Sequence, residues 1–168
     1  QNVRPYTADG SVNLAHLLIG SEGTLALTRS LTLQLSPLPK AKVLGVVNFP
    51  DFHSAMDATQ HIVRVGGPHL SAVELVDRTM IDLSLQNPAF APTIRTALSP
   101  NVNQGQPAAI LLVEFSGESK APLLPHLRDL VTLMGDLGLP GSVVEMVDDS
   151  AQKNLWEVRK AGLNIMMS

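Results

Sequence analysis

Residues 108–115 constrain the fold of this chain more than any other segment. They are apolar at every position except Glu114. A continuous apolar run of this length is typical of a strand that is buried on both faces or lies beneath a layer of helices. A proline-containing segment at 87–106 precedes the run, and turn-forming residues at 117–120 follow it. We therefore predict a central strand here, and a fold built around a sheet.

Three further segments have the character of strands. They lie at 43–49, 71–76 and 143–147, and each is a short, mostly apolar run bounded by turn residues. Helical patterns separate them, so the order is β-α-β-(α)-β-α-β with a helical tail. This order predicts an α+β fold with a ferredoxin-like, split βαβ antiparallel sheet and helices on one face.

The helices of this pattern have predicted faces and ends. The packing faces follow from residues at helical spacing: Phe52, Ala55, Met56, Thr59, Ile62 and Val63 in the first helix, and Leu123, Leu127, Leu130, Val131, Met134 and Leu137 in the later one. Asp51, Asp77 and either Asp149 or Ser150 are predicted N-caps, because a short oxygen-bearing side chain satisfies the free N–H groups of a first turn. Residues 87–106 are predicted to be a long connection with one helical turn near 93–98.

Composition excludes several classes of function. The formal net charge is −3, the Lys and Arg residues are scattered, and aromatic residues make up only 4% of the chain, so neither a basic stripe nor a base-stacking surface is predicted. The chain has no Cys, which excludes disulfides, thiolate catalysis and iron–sulfur ligation by these residues. The His residues have no metal-binding spacing, and no apolar run reaches the roughly 20 residues of a membrane helix.

A glycine-flanked run at 19–25 is the most specific local motif. Gly20 and Gly23 enclose Ser21 and Glu22. Glycines are used where a backbone turns tightly or lies close to a ligand, so the run is either a plain turn between a helix and a strand or a ligand contact. The alternation of apolar and polar residues that follows predicts a strand at 25–35, which the prolines at 37 and 39 end.

Four blocks of the sequence resemble one known family. They are residues 13–25 (NLAHLLIGSEGTL), 72–78 (AVELVDR), 112–115 (LVEF) and 155–163 (LWEVRKAGL). In order and content they resemble the FAD-linked oxidases of the vanillyl-alcohol oxidase type. This group includes D-2-hydroxy-acid dehydrogenases such as D-lactate dehydrogenase and the glycolate oxidase FAD subunit, and a bacterial branch fused to an iron–sulfur region.

The resemblance implies a division of the chain and a longer parent. Residues 1–36 would be the C-terminal end of an FAD-binding domain, 37–41 a linker, and 42–168 part of the C-terminal, substrate-side cap domain. We expect the chain to be a piece of a protein that is several times longer, whose other domains are its partners. The resemblance further implies a cytoplasmic location, with possible peripheral attachment to the inner membrane, and a homodimer as one possible assembly.

The resemblance also implies cofactor contacts for the glycine run. The residues matching the family segment that lies against FAD are Gly20, Ser21, Glu22, Gly23 and Thr24. Many family members have Gly where this chain has Ala26, so the contact there is expected to be looser or shifted. An iron–sulfur cluster is possible in the parent but not in this chain. No catalytic base and no metal ligand are assigned.

Arg159 is the candidate substrate-binding residue. On a helix it shares a face with Leu155 and Leu163, and a covered guanidinium needs an anionic partner. The residues alone leave open a structural ion pair with Glu74, Asp77 or Glu157. The resemblance implies instead that Arg159 binds the carboxylate of a 2-hydroxy acid, although Lys160 replaces a frequent Glu of the family motif.

These expectations describe an FAD-dependent enzyme. It would oxidise a 2-hydroxy acid of the D-lactate, glycolate or D-2-hydroxyglutarate class by hydride transfer to the flavin. The alternative is a non-catalytic ferredoxin-like module for small-molecule sensing or oligomerisation. Under that alternative the glycine run is a turn and Arg159 is structural.

Overall fold

The computed structural model describes residues 10–167, and for 163–167 it describes the helix without the side chains. The chain divides into two compact units, Gln1–Pro37 and Leu38–Ser168. The boundary lies at one end of the predicted linker, while the assignment of the first unit to an FAD-binding domain stays a prediction.

In its described part, residues 10–37, the first unit contains one short helix followed by a segment without regular secondary structure. Helix α1 covers Leu14–Leu18, and the side chain of Asn13 caps it by accepting a hydrogen bond from the N–H of Ala15 at 3.1 Å. The strand predicted at 25–35 is not formed. Its alternating leucines are exposed, and no described residue pairs with its backbone. A strand exists only in a ladder, and the alternation of residues identified no partner strand, so this prediction is wrong.

The second unit alternates strands and helices as predicted, with two consecutive helices between its second and third strands. The elements, in chain order, are β1 Ala41–Phe49, α2 Phe52–Gly66, β2 Leu70–Asp77, α3 Arg78–Gln86, α4 Ala91–Ala97, β3 Ala109–Gly117, α5 Leu124–Asp136, β4 Val143–Met146 and α6 Asp149–Met167. Helix α4 is the helical turn predicted within the long connection, and β3 is the predicted apolar strand.

The sheet is antiparallel, with the strand order β2-β3-β1-β4. Strand β1 pairs with β3 from Ala41 opposite Gly117 to Phe49 opposite Ala109. Strands β1 and β2 both run antiparallel to β3 and are therefore parallel to each other, with β3 between them. The predicted α+β class and antiparallel sheet are confirmed. The order agrees with a split βαβ unit, and the ferredoxin-like name stays an interpretation of that order.

Helices cover both faces of the sheet, which corrects the expectation of helices on one face. Helices α2 and α5 bury one face, which includes Val43, Val47, Leu111, Val113 and Phe115. Helices α3, α4 and α6 bury the other, which includes Leu44, Val46, Ile110, Leu112 and Met146. Alternate residues of a strand point to opposite faces, so the unbroken apolar run of β3 needs both layers.

Glu114 interrupts the apolar run of β3 but is buried with partners. Its carboxylate accepts hydrogen bonds from Lys42 Nζ on β1 and Ser71 Oγ on β2, both at 2.9 Å. The Glu114 side chain is 7% exposed. A buried carboxylate is tolerated when it is paired and hydrogen-bonded, so this polar position is compatible with a central strand.

The buried face of α2 differs from the predicted one. Phe52, Met56 and Val63 are exposed by 50%, 54% and 54%. The predicted Ala55 and Ile62 are buried, and Ala58 and Gly66 complete the buried stripe. Small residues on this stripe let the helix approach the sheet closely, and a Cβ at Gly66 would lie 2.8 Å from Cβ of Leu70. Met56 and Val63 therefore remain on the exposed side of α2.

Two of the three predicted helix caps are confirmed. Asp51 Oδ1 accepts from Ser54 N at 2.8 Å, and Asp77 Oδ1 accepts from Met80 N at 2.9 Å. The prediction for α6 is wrong, because Asp148, rather than Asp149 or Ser150, accepts from Ala151 N at 2.9 Å. Across residues 10–167, no helix combines the length and the apolar character that crossing a membrane requires.

Candidate functional site

A cavity of about 660 Å³ opens on the sheet face that α3, α4 and α6 cover. Its floor is formed by β2 and β3, and its walls by the three helices and by Phe52 at the start of α2. The lining is mostly apolar and includes Val76, Met80, Ile110, Leu112, Leu155 and Val158. A concave, mostly apolar surface with a few polar groups is the usual form of a small-molecule site.

Three charged residues line the same cavity. Asp77 is engaged as the cap of α3, and Lys160 Nζ lies 3.0 Å from Glu157 Oε1 on its own helix. Arg159 projects from α6, and its side chain is 49% exposed. Of these three, Arg159 is the one whose planar guanidinium matches a carboxylate.

Arg159 pairs with Glu74 across the gap between α6 and β2. The contact joins Nε of Arg159 to Oε2 of Glu74. Glu74 stands opposite Leu112 in the β2–β3 ladder and, unlike Arg159, does not line the cavity. Among the partners that the sequence left open, the structure therefore selects Glu74. The predicted contribution of Leu163 to this face lies outside the described side chains.

The glycine-flanked run forms an exposed double turn in the first unit. Gly20, Glu22 and Gly23 have φ angles of 82°, 50° and 80°, in the left-handed region. Thr24 donates to the carbonyl oxygen of Ser21 through both its N–H, at 2.9 Å, and its Oγ1, at 2.6 Å. A Cβ added at Gly20 or Gly23 would meet nothing within 4 Å, so the conformation, rather than crowding by the described residues, requires glycine there.

The turn leaves backbone donors free. No hydrogen bond joins the N–H of Glu22 or of Gly23 to any described residue. Consecutive free N–H groups in a turn with left-handed residues form a concavity that suits an anionic or carbonyl oxygen. This geometry is compatible with a plain turn and with a ligand contact. The assignment of Gly20, Ser21, Glu22, Gly23 and Thr24 to cofactor binding therefore stays a prediction.

Sequence reasoning missed most of the cavity wall. Met80 and Ser84 on α3 and Ile94 on α4 line it. A contribution from the connection at 87–106 had no signal in the sequence beyond one predicted helical turn. In the part of the chain that is described, no group of three or more His, Cys, Asp or Glu side chains could hold a metal ion.

Comparison with known proteins identifies relatives over nearly the whole chain. Residues 38–168 match the model of a family described as FAD linked oxidases, C-terminal domain. A probable mitochondrial D-lactate dehydrogenase of Danio rerio is 27% identical over 161 residues, which are 93% of this chain and 28% of that protein. The mitochondrial D-lactate dehydrogenase [cytochrome] 1 of Saccharomyces cerevisiae is 28% identical over 160 residues, or 95% of this chain and 25% of that protein.

A bacterial relative has a different named substrate. The D-2-hydroxyglutarate dehydrogenase of Escherichia coli is 26% identical over 125 residues, which are 74% of this chain and 12% of that protein. The chain thus spans about a quarter or less of the length of these relatives. The expectation of a cytoplasmic location is wrong by this comparison, since the D-lactate dehydrogenases of Danio rerio, Saccharomyces cerevisiae and Arabidopsis thaliana are named mitochondrial.

The family match and the sequence resemblance agree on the same assignment. The match covers the whole second unit, including both strands and all three helices that form the cavity. The chain therefore belongs to the FAD-linked oxidase family, whose C-terminal domain its residues 38–168 represent.

Proposed function

We propose that this chain is part of an FAD-dependent oxidoreductase that oxidises a 2-hydroxy acid by hydride transfer to the flavin. The proposal is supported by membership of the family and by relatives named as D-lactate and D-2-hydroxyglutarate dehydrogenases. The single observation that carries it is the position of Arg159, a guanidinium at the edge of an otherwise mostly apolar cavity.

Arg159 is the proposed anchor for the substrate carboxylate. Its Nε faces Glu74, and no described residue accepts a hydrogen bond from its terminal nitrogens. Two parallel N–H donors on a planar group match the two oxygens of a carboxylate, and such charge-assisted pairs are stronger than neutral hydrogen bonds. The apolar wall beside it would exclude water from the reacting carbon.

The turn at 20–24 is the proposed contact for FAD. The free N–H groups of Glu22 and Gly23 suit an oxygen of the cofactor, and the exposed glycines permit close approach. When bound, the flavin supplies the hydride acceptor. Iron–sulfur ligation, where a complete protein of this family has it, has to come from outside this chain, because the chain has no Cys. A homodimer remains a prediction.

The visible spectrum and one substitution test the proposal in the complete protein. We expect flavin absorption bands that bleach on addition of the hydroxy acid. We expect Arg159→Ala to lower kcat/KM by about 100-fold, the size of a charged hydrogen-bonded contact, with unchanged flavin content. Arg128→Ala, an exposed position on α5, is the matched control. A colourless protein, or an Arg159→Ala variant with the activity of the control, would contradict the proposal.

The non-catalytic module is the second candidate and is less well supported. The relatives reported above are named as dehydrogenases. A complete protein that binds no flavin but associates through this domain would favour the module instead.

A further inference from the structure

We infer that Glu74 is a positioning residue that orients Arg159 for the carboxylate of the substrate. This inference rests on the proposed function, because it assumes that Arg159 binds a carboxylate. It concerns a residue that does not itself line the cavity and acts only through its neighbour.

Glu74 occupies one edge of the Arg159 guanidinium. Its carboxylate contacts Nε, on the side of the group nearest the Arg159 stem. The two terminal nitrogens form a separate, end-on fork. With Nε engaged, that fork is free to bind a carboxylate through two parallel N–H donors. Glu74 and a substrate therefore need not compete for the same donors.

The two residues lie on regular secondary structure elements, β2 and α6. Glu74 lies within β2, paired with Leu112 of the central strand, whereas Arg159 lies on α6. The Glu74 side chain is 33% exposed and that of Arg159 is 49% exposed. A half-exposed arginine has many rotamers, and fixing one of them before binding removes an entropic cost that the substrate would otherwise meet.

The other two candidate carboxylates, Asp77 and Glu157, have different partners. Asp77 accepts from Met80 N at the start of α3, and Glu157 pairs with Lys160. Glu74 is therefore the carboxylate that the described structure holds against Arg159.

A double-mutant cycle in the complete protein tests the inference. We expect Glu74→Ala to raise KM for the hydroxy acid about tenfold with kcat within about twofold, because a carboxylate bound equally in ground and transition states affects KM. Glu74→Gln keeps an oxygen that can accept from Nε, so it should recover most of the loss. In the Arg159→Ala background, Glu74→Ala should have no further effect.

The controls separate positioning from stability. Glu118→Ala breaks the exposed pair with Lys40, in which the charged atoms lie 2.7 Å apart, and should leave KM unchanged. Thermal midpoint and flavin content should not differ between Glu74→Ala and this control. If Glu74→Ala does not fold, Glu74→Asp, which withdraws the carboxylate by one methylene, replaces it in the cycle.

The outcomes also distinguish this inference from the proposed function. An unchanged or lower KM in Glu74→Ala, or the same increase with and without Arg159, overturns the positioning role alone. An Arg159→Ala variant with unchanged KM overturns the carboxylate anchor, and the role of Glu74 fails with it.

Discussion

Gly162 of α6 lies directly against Met80 of α3 at the wall of the cavity. A Cβ at Gly162 would lie 2.5 Å from Cε of Met80. Both residues line the cavity. Because the obstructing atom is the end of a flexible side chain, an alanine here would move Met80 rather than the helix. The size of the cavity therefore depends on the absence of a side chain at residue 162.

Gly162→Ala should change ligand selection more than stability. We expect the free energy of unfolding to change by less than about 1 kcal/mol, since the better helix propensity of alanine offsets the displacement of Met80. In the complete protein, KM should rise several-fold more for a hydroxy acid with a long apolar side chain than for glycolate. Adding Met80→Ala should remove this difference between the two acids, because the space taken by the new methyl group is then regained. Equal KM changes for both acids would show that residue 162 does not limit the cavity.

The opposite face of the sheet has a comparable close contact. A Cβ at Gly45 of β1 would lie 2.6 Å from Leu130 Cδ2 and 3.3 Å from Leu127 Cδ2, both on α5. These leucines are fully buried or nearly so, and cannot move into open space. Gly45→Ala should therefore destabilise the chain by about 1–3 kcal/mol through overpacking.

Urea denaturation of the chain measures this effect. Gly135→Ala on α5 is the matched control, because nothing lies within 4 Å of its Cβ position. The control should be stabilised by up to about 1 kcal/mol, the gain of replacing glycine inside a helix. Similar free energies of unfolding for the two variants would show that α5 adjusts to the added methyl group.

The sequence predicted most elements of the second unit because their signals are local. The apolar run of β3 and the caps Asp51 and Asp77 depend on neighbours within a few residues. The face of α2 could not be predicted in the same way. Phe52 and Met56 have the right spacing for burial, but which side of a helix meets the sheet depends on how closely the backbones approach.

Tertiary context decided the remaining differences. The strand predicted at 25–35 has the correct alternation, yet a ladder needs a partner that no local pattern supplies. For the candidate site, the sequence identified Arg159 and named Glu74 among three possible partners. It could not choose between them, because no local pattern shows which carboxylate of β2 packs against α6, and only the tertiary structure places Glu74 at Arg159.

Asn48 is a fully buried polar residue whose loss should be costly. Its Nδ2 lies 3.1 Å from the carbonyl oxygen of Ala97 and 3.2 Å from that of Ser142, and its Oδ1 accepts from Ser99 N at 3.0 Å. The side chain thus ties β1 to the segments after α4 and before β4. Asn48→Ala leaves buried backbone groups without partners, and we expect a loss of about 2–4 kcal/mol.

The matched control for Asn48 is the exposed Asn101. Its Nδ2 donates to the carbonyl oxygen of Gly141 at 3.2 Å, in the same region of the chain. Asn101→Ala should cost about 1 kcal/mol or less, since water can replace the lost partner. Urea denaturation of both variants gives the comparison, and a loss at Asn48 no larger than at Asn101 would indicate that water enters the vacated space.

Acid stability should depend on the two helix caps Asp51 and Asp148. Hydrogen bonds from the side chain and backbone of Ser54 lower the pKa of Asp51, and those from Ser150 Oγ and Ala151 N lower the pKa of Asp148. A carboxyl whose pKa is lower in the folded state than in the unfolded state stabilises the fold at pH values above the ordinary pKa of aspartate. It loses that contribution as the pH falls below about 4.

The double variant Asp51→Asn/Asp148→Asn tests this dependence, because it keeps a capping oxygen at each helix but cannot titrate there. Its thermal midpoint should therefore fall less than that of the unmodified chain between pH 7 and pH 3, whereas the exposed Asp129→Asn should follow the unmodified chain. If the double variant loses as much stability as the unmodified chain over this range, ionised caps do not contribute to its pH dependence.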